Sequence, residues 1–186
     1  MRQPYFEDQT YQQVTNLESG EYDNCTFSNC TLANADLSGF VFADCTFNDC
    51  DLTNVKLHET ALKTVTFERC KLLGLRFEDC RDFLFQVGYT NSNLELSTFT
   101  GWKLKGTVFQ DCQLHEVDFT AADLQEASFP GSDLTRAIFE RTDLRKADFR
   151  TARNFRFSPE ENRLQKAQFS LEGLPGLLNE YGIIVK

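Results

Sequence analysis

Several features common in enzymes and membrane proteins are scarce or missing in this sequence. Its 186 residues include only one Trp, one Met, two His and four Pro. No apolar stretch approaches the roughly eighteen residues of a membrane span. Met1–Val14 lacks the apolar run of a signal peptide. We therefore expect one cytoplasmic domain without membrane contact.

Motifs for catalysis are missing as well. The sequence contains no G-x-S-x-G, P-loop or HExxH pattern, and no Cys-x-x-Cys pair that would suggest zinc. His58 and His115 are far apart, in different units of the repeat described below. We expect no cofactor, no metal and no enzymatic activity. An unrecognised enzyme, with its site at a subunit interface, is a remaining alternative.

What the chain does contain is a five-residue repeat. A large apolar residue, nearly always Leu or Phe, returns at every fifth position from Leu17 to Phe77 and again from Leu84 to Phe149. A period of five fits neither a helix nor a flat strand. It indicates a coil of short straight sides joined by turns, with one side per unit and each apolar residue facing a common interior.

Sorting the repeat at intervals of twenty residues separates Phe from Leu. One column is aromatic and the next contains only Leu, as expected for a four-sided coil; the predicted core includes Phe27, Phe47, Phe67, Phe109, Phe129, Phe149, Leu32, Leu52 and Leu72. The columns stay in step only if two extra residues lie between Phe77 and Leu84. We place this bulge near Arg81–Phe83 and expect Leu84 inside.

A second position, two residues before each large apolar one, holds small residues. All seven cysteines follow the five-residue register of this position: Cys25, Cys30, Cys45, Cys50, Cys70, Cys80 and Cys112. Free cysteine is among the most buried residue types and packs as a small hydrophobe. We expect the cysteines to face the core, since stacked parallel side chains suit neither a disulfide nor tetrahedral zinc.

Units such as Ala35-Asp36-Leu37 and Ala122-Asp123-Leu124 resemble the A(D/N)LXX repeat of the pentapeptide-repeat proteins. The resemblance covers more than two-thirds of the chain. It implies an all-β fold, a right-handed quadrilateral β-helix of about seven coils. We expect an N-terminal cap over residues 1–16, the β-helix over residues 17–157, and a loop, a short capping helix and a short strand over residues 158–186.

The C-terminal tail narrows the resemblance. The stretches LLNEYGIIV and NRLQKAQFSLEGLPGLL are similar to the tails of Qnr-type quinolone-resistance proteins and their MfpA-type and AlbG-type relatives. The resemblance implies a homodimer joined through the tail, with an interface of Leu174, Leu177, Leu178, Tyr181, Ile183 and Ile184. It further implies an acidic rod that imitates DNA, binds DNA gyrase or topoisomerase IV and gives antibiotic resistance.

Charge is unevenly distributed along the chain. The net charge is −9, and residues 1–60 contain ten acidic but only two basic residues. Such a surface repels nucleic acid and attracts proteins that bind it. The predicted partner-binding residues are Asp23, Asp36, Asp44, Asp49, Asp51 and Glu59, all at outward positions. There are two alternatives: the acidic surface only promotes solubility, or the protein is an interaction scaffold for another protein target.

Overall fold

The structure, a computed structural model, describes residues 3–178 and 181–183. Its regular elements are short parallel strands and little helix. The strands are β1 (Tyr5–Glu7), β2 (Thr10–Gln12), β3 (Glu21–Asp23), β4 (Thr26–Ser28), β5 (Val41–Ala43), β6 (Thr46–Asn48), β7 (Ala61–Lys63), β8 (Val65–Glu68), β9 (Val87–Thr90) and β10 (Phe109–Gln110). A 3-10 turn spans Phe77–Asp79, and one helix, α1, spans Pro175–Leu178.

The strands stack into a four-sided solenoid, which confirms the predicted all-β fold. Two sides are sheets, in the orders β1-β3-β5-β7 and β10-β9-β8-β6-β4-β2. The other two are ladders of single parallel bridges, such as Thr31↔Asp51 and Asp36↔Lys56. The coil number differs slightly from the expected seven, because the longer sheet spans about five turns and only isolated bridges continue the stack beyond it.

The corners of the coil explain the period of five. Residues at five-residue intervals adopt positive φ, as in the series Asn24, Asn29, Asn34 and Gly39. Asn, Asp and Gly enter this left-handed region most easily, and one such residue turns the chain sharply. Each corner therefore ends one side and starts the next, and four corners return the chain to its starting side one strand spacing higher.

The interior is filled by stacked side chains from successive coils. Phe27 and Phe47 stack with ring centroids 4.4 Å apart, and Phe109 and Phe129 stack at 5.2 Å. The predicted core residues are all buried, as are the seven cysteines, which are free thiols. Burial raises the pKa of the Cys45 thiol to about 12. The cysteines are therefore core residues, as the sequence predicted.

The bulge has the predicted length and place, but Leu84 does not face the interior. Val65 pairs with Val87, so two extra residues enter this coil. Leu84 takes a positive φ and is 62% exposed, whereas Phe85 packs edge-on against Trp102 at 5.3 Å. The prediction of an inward Leu84 is wrong because the loop turns the larger aromatic ring inward instead.

The N-terminal segment is a further partial coil and not one strand laid across the first. Strands β1 and β2 pair in parallel with β3 and β4, at an offset of sixteen residues (Tyr5↔Glu21) where later coils have twenty. Phe6 stacks on Tyr22 at 4.7 Å, and Tyr11 stacks on Phe27 at 5.0 Å. These rings cover the first full coil and so still cap the core.

At the other end the repeat continues past the expected boundary at residue 157. Bridges Asp143↔Arg163 and Asp148↔Gln168 complete another coil, and Phe169 stacks on Phe149 at 5.3 Å. The sequence pattern fades there because this coil includes the polar stretch 158–165.

In the C-terminal tail, residues 171–174 form turns, and α1 begins only at Pro175. The hydroxyl of Ser170 accepts a hydrogen bond from the Gly173 amide at 3.1 Å. Gly173 and Gly176 lie so close to Phe155 that a Cβ on either would collide with it. The predicted final strand includes Ile184 and Val185, which lie outside the described residues.

Stacking at Phe109 generates a test of the core. Phe109→Ala should destabilise the protein by about 3–5 kcal/mol, because the neighbouring rings cannot fill the cavity. The measurement is urea unfolding followed by far-UV circular dichroism. Tyr89→Phe is the control: it keeps the ring and removes a buried hydroxyl that has no hydrogen-bond partner, so stability should hold or rise. A loss below about 1 kcal/mol for Phe109→Ala would contradict this packing.

Candidate protein-binding surface

The six acidic residues predicted to bind a partner do point outward. All are exposed or half-exposed. They do not form one patch, however. Asp23 ends β3, and Asp44 lies at the corner directly after β5, the strand that pairs with β3. Asp51 and Asp36 lie on the two bridge-paired sides, and Asp49 and Glu59 lie at corners. The structure therefore brings together only Asp23 and Asp44, and spreads the other four around the coil.

Three of the six also have a basic partner one coil further along. Arg69 binds Asp49 at 2.8 Å, Arg81 lies 3.4 Å from Glu59, and Lys71 lies 3.9 Å from Asp51. The hydrogen bond from Arg69 lowers the pKa of Asp49. These carboxylates are largely neutralised locally, so they contribute less negative potential than their number suggests.

Sequence reasoning missed acidic residues in the first partial coil. Glu7 pairs in register with Asp23, next to Asp8 at the corner, and Glu21 begins the adjacent strand. Glu7, Asp8, Glu21, Asp23 and Asp44 are here called the acidic N-terminal patch. Within the described residues, none of them has a basic group within 4.0 Å. Glu7 and Asp8 were missed because they lie in the predicted cap over residues 1–16, although both are visible in the sequence.

Two hydrogen bonds shape the acidic N-terminal patch without neutralising it. The Tyr5 hydroxyl donates to Asp23 at 2.9 Å, and the Asn24 amide donates to Asp8 at 2.7 Å. The first bond, with a smaller contribution from burial, raises the pKa of Tyr5 to about 12. Both donors are neutral, so the carboxylates keep their charge and are held in place on the rigid sheet.

Acidic residues just before the central positions have a structural role. Asp133 is typical: its carboxylate accepts the Thr135 backbone N–H at 3.0 Å and the Thr135 hydroxyl at 2.7 Å, which closes a turn. Asp36, Asp51, Asp118, Asp123, Asp143 and Asp148 each accept the backbone N–H two residues on. These carboxylates therefore close turns of the coil through hydrogen bonds to backbone.

Other candidate chemistry is dispersed. His58 is exposed, while the Nε2 atom of His115 lies 3.6 Å from Asp133 in a later coil. Among residues 3–178 and 181–183, no group of three His, Cys, Asp or Glu side chains could hold a metal ion. No helix in the same part of the chain is long and apolar enough to cross a membrane.

The predicted dimer residues are partly accessible. Leu174, Tyr181 and Ile183 are exposed, Leu177 and Leu178 are half-buried, and Ile184 lies outside the described residues. Leu171, which was not predicted, is 82% exposed. The tail thus presents apolar side chains that the last coil does not cover.

Comparison with known proteins identifies the family. The model of the pentapeptide repeat region matches residues 21–86 and 76–149, so the chain belongs to the pentapeptide-repeat family. No curated protein matches the sequence significantly.

Among solved structures, the chain is similar to HetL from the cyanobacterium Nostoc sp. strain PCC 7120, a pentapeptide-repeat protein involved in regulating heterocyst differentiation. The TM-score is 0.66 at 15% identity, over 93% of this chain and 87% of HetL. It is also similar to QnrB1, a plasmid-mediated fluoroquinolone-resistance protein, with a TM-score of 0.49 at 20% identity, over 98% and 97% of the two chains.

The turn at Asp133 predicts a pH dependence of stability. Burial alone would raise the pKa of Asp133, but hydrogen bonds from Thr135 and Asn154 lower it to about 2. Because the folded pKa lies below the unfolded one, near 3.9, the stabilisation is complete above about pH 4 and is lost as the pH falls toward 2. Asp133→Asn should therefore cost on the order of 2 kcal/mol at pH 7 and much less at pH 2.5.

Urea midpoints of both proteins at the two pH values measure this difference. Glu95→Gln is the control. It removes a carboxylate on the same side of the coil that closes no turn, so its effect on the urea midpoint should be the same at both pH values. An equal loss of stability for Asp133→Asn at pH 7 and pH 2.5 would contradict the conclusion that the ionised carboxylate of Asp133 stabilises this turn.

Proposed function

We propose that this protein acts without catalysis, by binding the positively charged DNA-binding surface of another protein through its acidic N-terminal patch. The specific partner that we propose is DNA gyrase or another type II topoisomerase, in the cytoplasm. The observation that carries the proposal is the set of carboxylates on the first coils that have no basic partner among residues 3–178 and 181–183. The acidic residues of later coils are mostly paired.

The charge density of the patch supports a DNA-binding partner. Its five carboxylates span three strand levels, hence about 10 Å at roughly 4.8 Å per step. B-form DNA carries one charge per about 1.7 Å, which gives about six charges over the same length. Basic residues that neutralise phosphates could therefore meet a comparable number of carboxylates, held on a rigid β surface that loses little entropy on binding.

A dimer would extend this surface. We propose that two copies associate through Leu171, Leu174 and Ile183, which are exposed at the end opposite the acidic N-terminal patch. The rod would then carry one acidic patch at each far end. This arrangement suits a partner that is itself twofold symmetric and has two separated basic surfaces.

An interaction scaffold for a different protein is the second candidate. The pairing of several charges on the middle coils favours it, because a DNA mimic along its whole length would carry uncompensated charge there. Arg136 and Lys146 instead neutralise Glu116 and Glu126 there. Under this alternative the acidic N-terminal patch still binds a basic protein surface, but not that of a topoisomerase.

Neutralising the acidic N-terminal patch tests the first candidate. The test variant combines Glu7→Gln, Glu21→Gln and Asp44→Asn. Its fold should survive, because these side chains point outward. Inhibition of gyrase supercoiling by the full-length protein should weaken about tenfold, mainly through slower association, and should also weaken as salt rises. The same assay with a quinolone tests the antibiotic resistance implied by the resemblance.

The matched control is Glu68→Gln, Glu116→Gln and Glu126→Gln combined, which removes three charges that already have basic partners. It should change inhibition by less than about twofold. Equal losses in both variants would contradict the emphasis on the first coils. If the unmodified protein does not inhibit gyrase at any salt concentration, the scaffold becomes the better explanation.

The proposed dimer generates a separate prediction. Leu174→Glu together with Ile183→Glu should convert a dimer into a monomer, because burying two unpaired charges costs more than such an interface gains. Sedimentation velocity gives the oligomeric state, and circular dichroism verifies the fold. Leu84→Glu, which alters an exposed apolar residue on the bulge, is the control and should leave the state unchanged. A variant tail that still dimerises would exclude these residues from the interface.

A further inference from the structure

A cleft of about 500 Å³ lies between the last coil and the C-terminal tail. One wall contains Arg150, Arg153 and Arg156, and the other contains Ser170 and Glu172. The tail reaches this position because Gly173 and Gly176 allow its backbone to pack against Phe155. The volume is within the range of small-molecule sites, about 300–1,000 Å³.

The arginines of this cleft differ from the others in the described chain. Eight of the ten described arginines lie within 4.0 Å of a carboxylate: Arg69, Arg76, Arg81, Arg136, Arg141, Arg145, Arg150 and Arg163. Only Arg153 and Arg156 have no acidic partner there, and both line the cleft. Arg153 donates one hydrogen bond to the Gly131 carbonyl at 3.1 Å. The two guanidinium groups thus place two positive charges, neither in an ion pair with a described residue, at one cleft.

We propose that this cleft binds a phosphate monoester, with Arg153 and Arg156 as its principal ligands. A phosphate monoester carries about −1.5 to −2 charges at neutral pH, which matches two unpaired guanidinium groups better than a single carboxylate does. The planar guanidinium fork also fits phosphate oxygens in a bidentate manner. The Arg150 side chain contributes less, since Asp148 already holds it at 2.7 Å.

The opposite wall determines both the affinity and the consequence of binding. The Ser170 hydroxyl accepts the Gly173 amide and retains its own hydrogen for donation. Glu172 carries a negative charge toward the same space and opposes an anion there. A ligand in the cleft would contact the coil and the tail together, so its binding should stabilise the tail against the last coil.

Isothermal titration calorimetry of the full-length protein with inorganic phosphate, at pH 7.5, tests the proposal. Sodium chloride at matched ionic strength is the blank. Arg156→Gln should weaken binding at least tenfold, and Arg153→Gln with Arg156→Gln should abolish it. Glu172→Gln should tighten binding about threefold, because it removes the opposing charge. Phosphate should also slow proteolysis of the tail.

The matched control is Arg141→Gln with Arg145→Gln, which removes two positive charges from the preceding coil and should leave the affinity within twofold. If the double cleft variant fails to fold, Arg156→Gln alone decides, since the described Arg156 side chain makes no hydrogen bond or ion pair. Equal loss in the control, unchanged affinity in Arg156→Gln, or heat no greater than with chloride would overturn the proposal.

Two further probes separate sources of phosphate. Adenosine monophosphate offers a monoester, whereas a short single-stranded oligonucleotide offers monoanionic diesters and is repelled by an acidic protein. Adenosine monophosphate should bind at least as well as inorganic phosphate. Tighter binding of the oligonucleotide, lost in Arg156→Gln, would overturn the monoester assignment.

Discussion

The whole structure depends on the stacking of like side chains at one strand spacing. Phe27, Phe47 and Phe67 lie one above another, with ring centroids 4.4 and 5.2 Å apart. Offset-parallel rings at these distances attract each other and exclude water from a narrow interior. Each coil buries its residues only because the next coil covers them, so stability is shared between neighbours and both ends need covers. The partial first coil and the tail provide those covers.

The same twenty-residue register that stacks the core also arranges the surface. Asp49 lies beside Arg69, Asp51 beside Lys71 and Glu126 beside Lys146, each pair twenty residues apart in sequence. Charge along the rod is therefore set by pairs of neighbouring coils and not by the total for a segment. The exposed pairs contribute little stability, but they decide which surface retains a net potential.

The two ends of the rod consequently differ in chemistry. Among the described residues, Glu7 and Glu21 near the first coil have no basic group within 4.0 Å, and Arg153 and Arg156 near the last coil have no acidic one. Several charges on the coils between them are paired with the neighbouring coil. In a solenoid built from one repeated unit, the sequence can vary most at the two ends, where stacking constrains fewer side chains. The proposed partner-binding surface and the proposed ligand site both lie at these ends.

The four-sided solenoid could be predicted from the sequence alone, because each core side chain contacts its equivalent one coil away and so recurs at a fixed interval, as Phe109 and Phe129 do. The sequence also predicted the inward cysteines and the length of the bulge. The ion pair between Asp49 and Arg69 could also have been predicted, because the two residues are twenty positions apart. The inward position of Phe85 instead of Leu84 could not be predicted in this way, since the path of the inserted loop depends on packing against Trp102 in a later coil. The pairing of Glu7 with Asp23 was also not predicted, because the first coil is shorter and the offset there is sixteen residues instead of twenty. The cleft lined by Arg153 and Arg156 was not predicted either. It forms where the tail packs against Phe155, and these contacts do not repeat along the sequence.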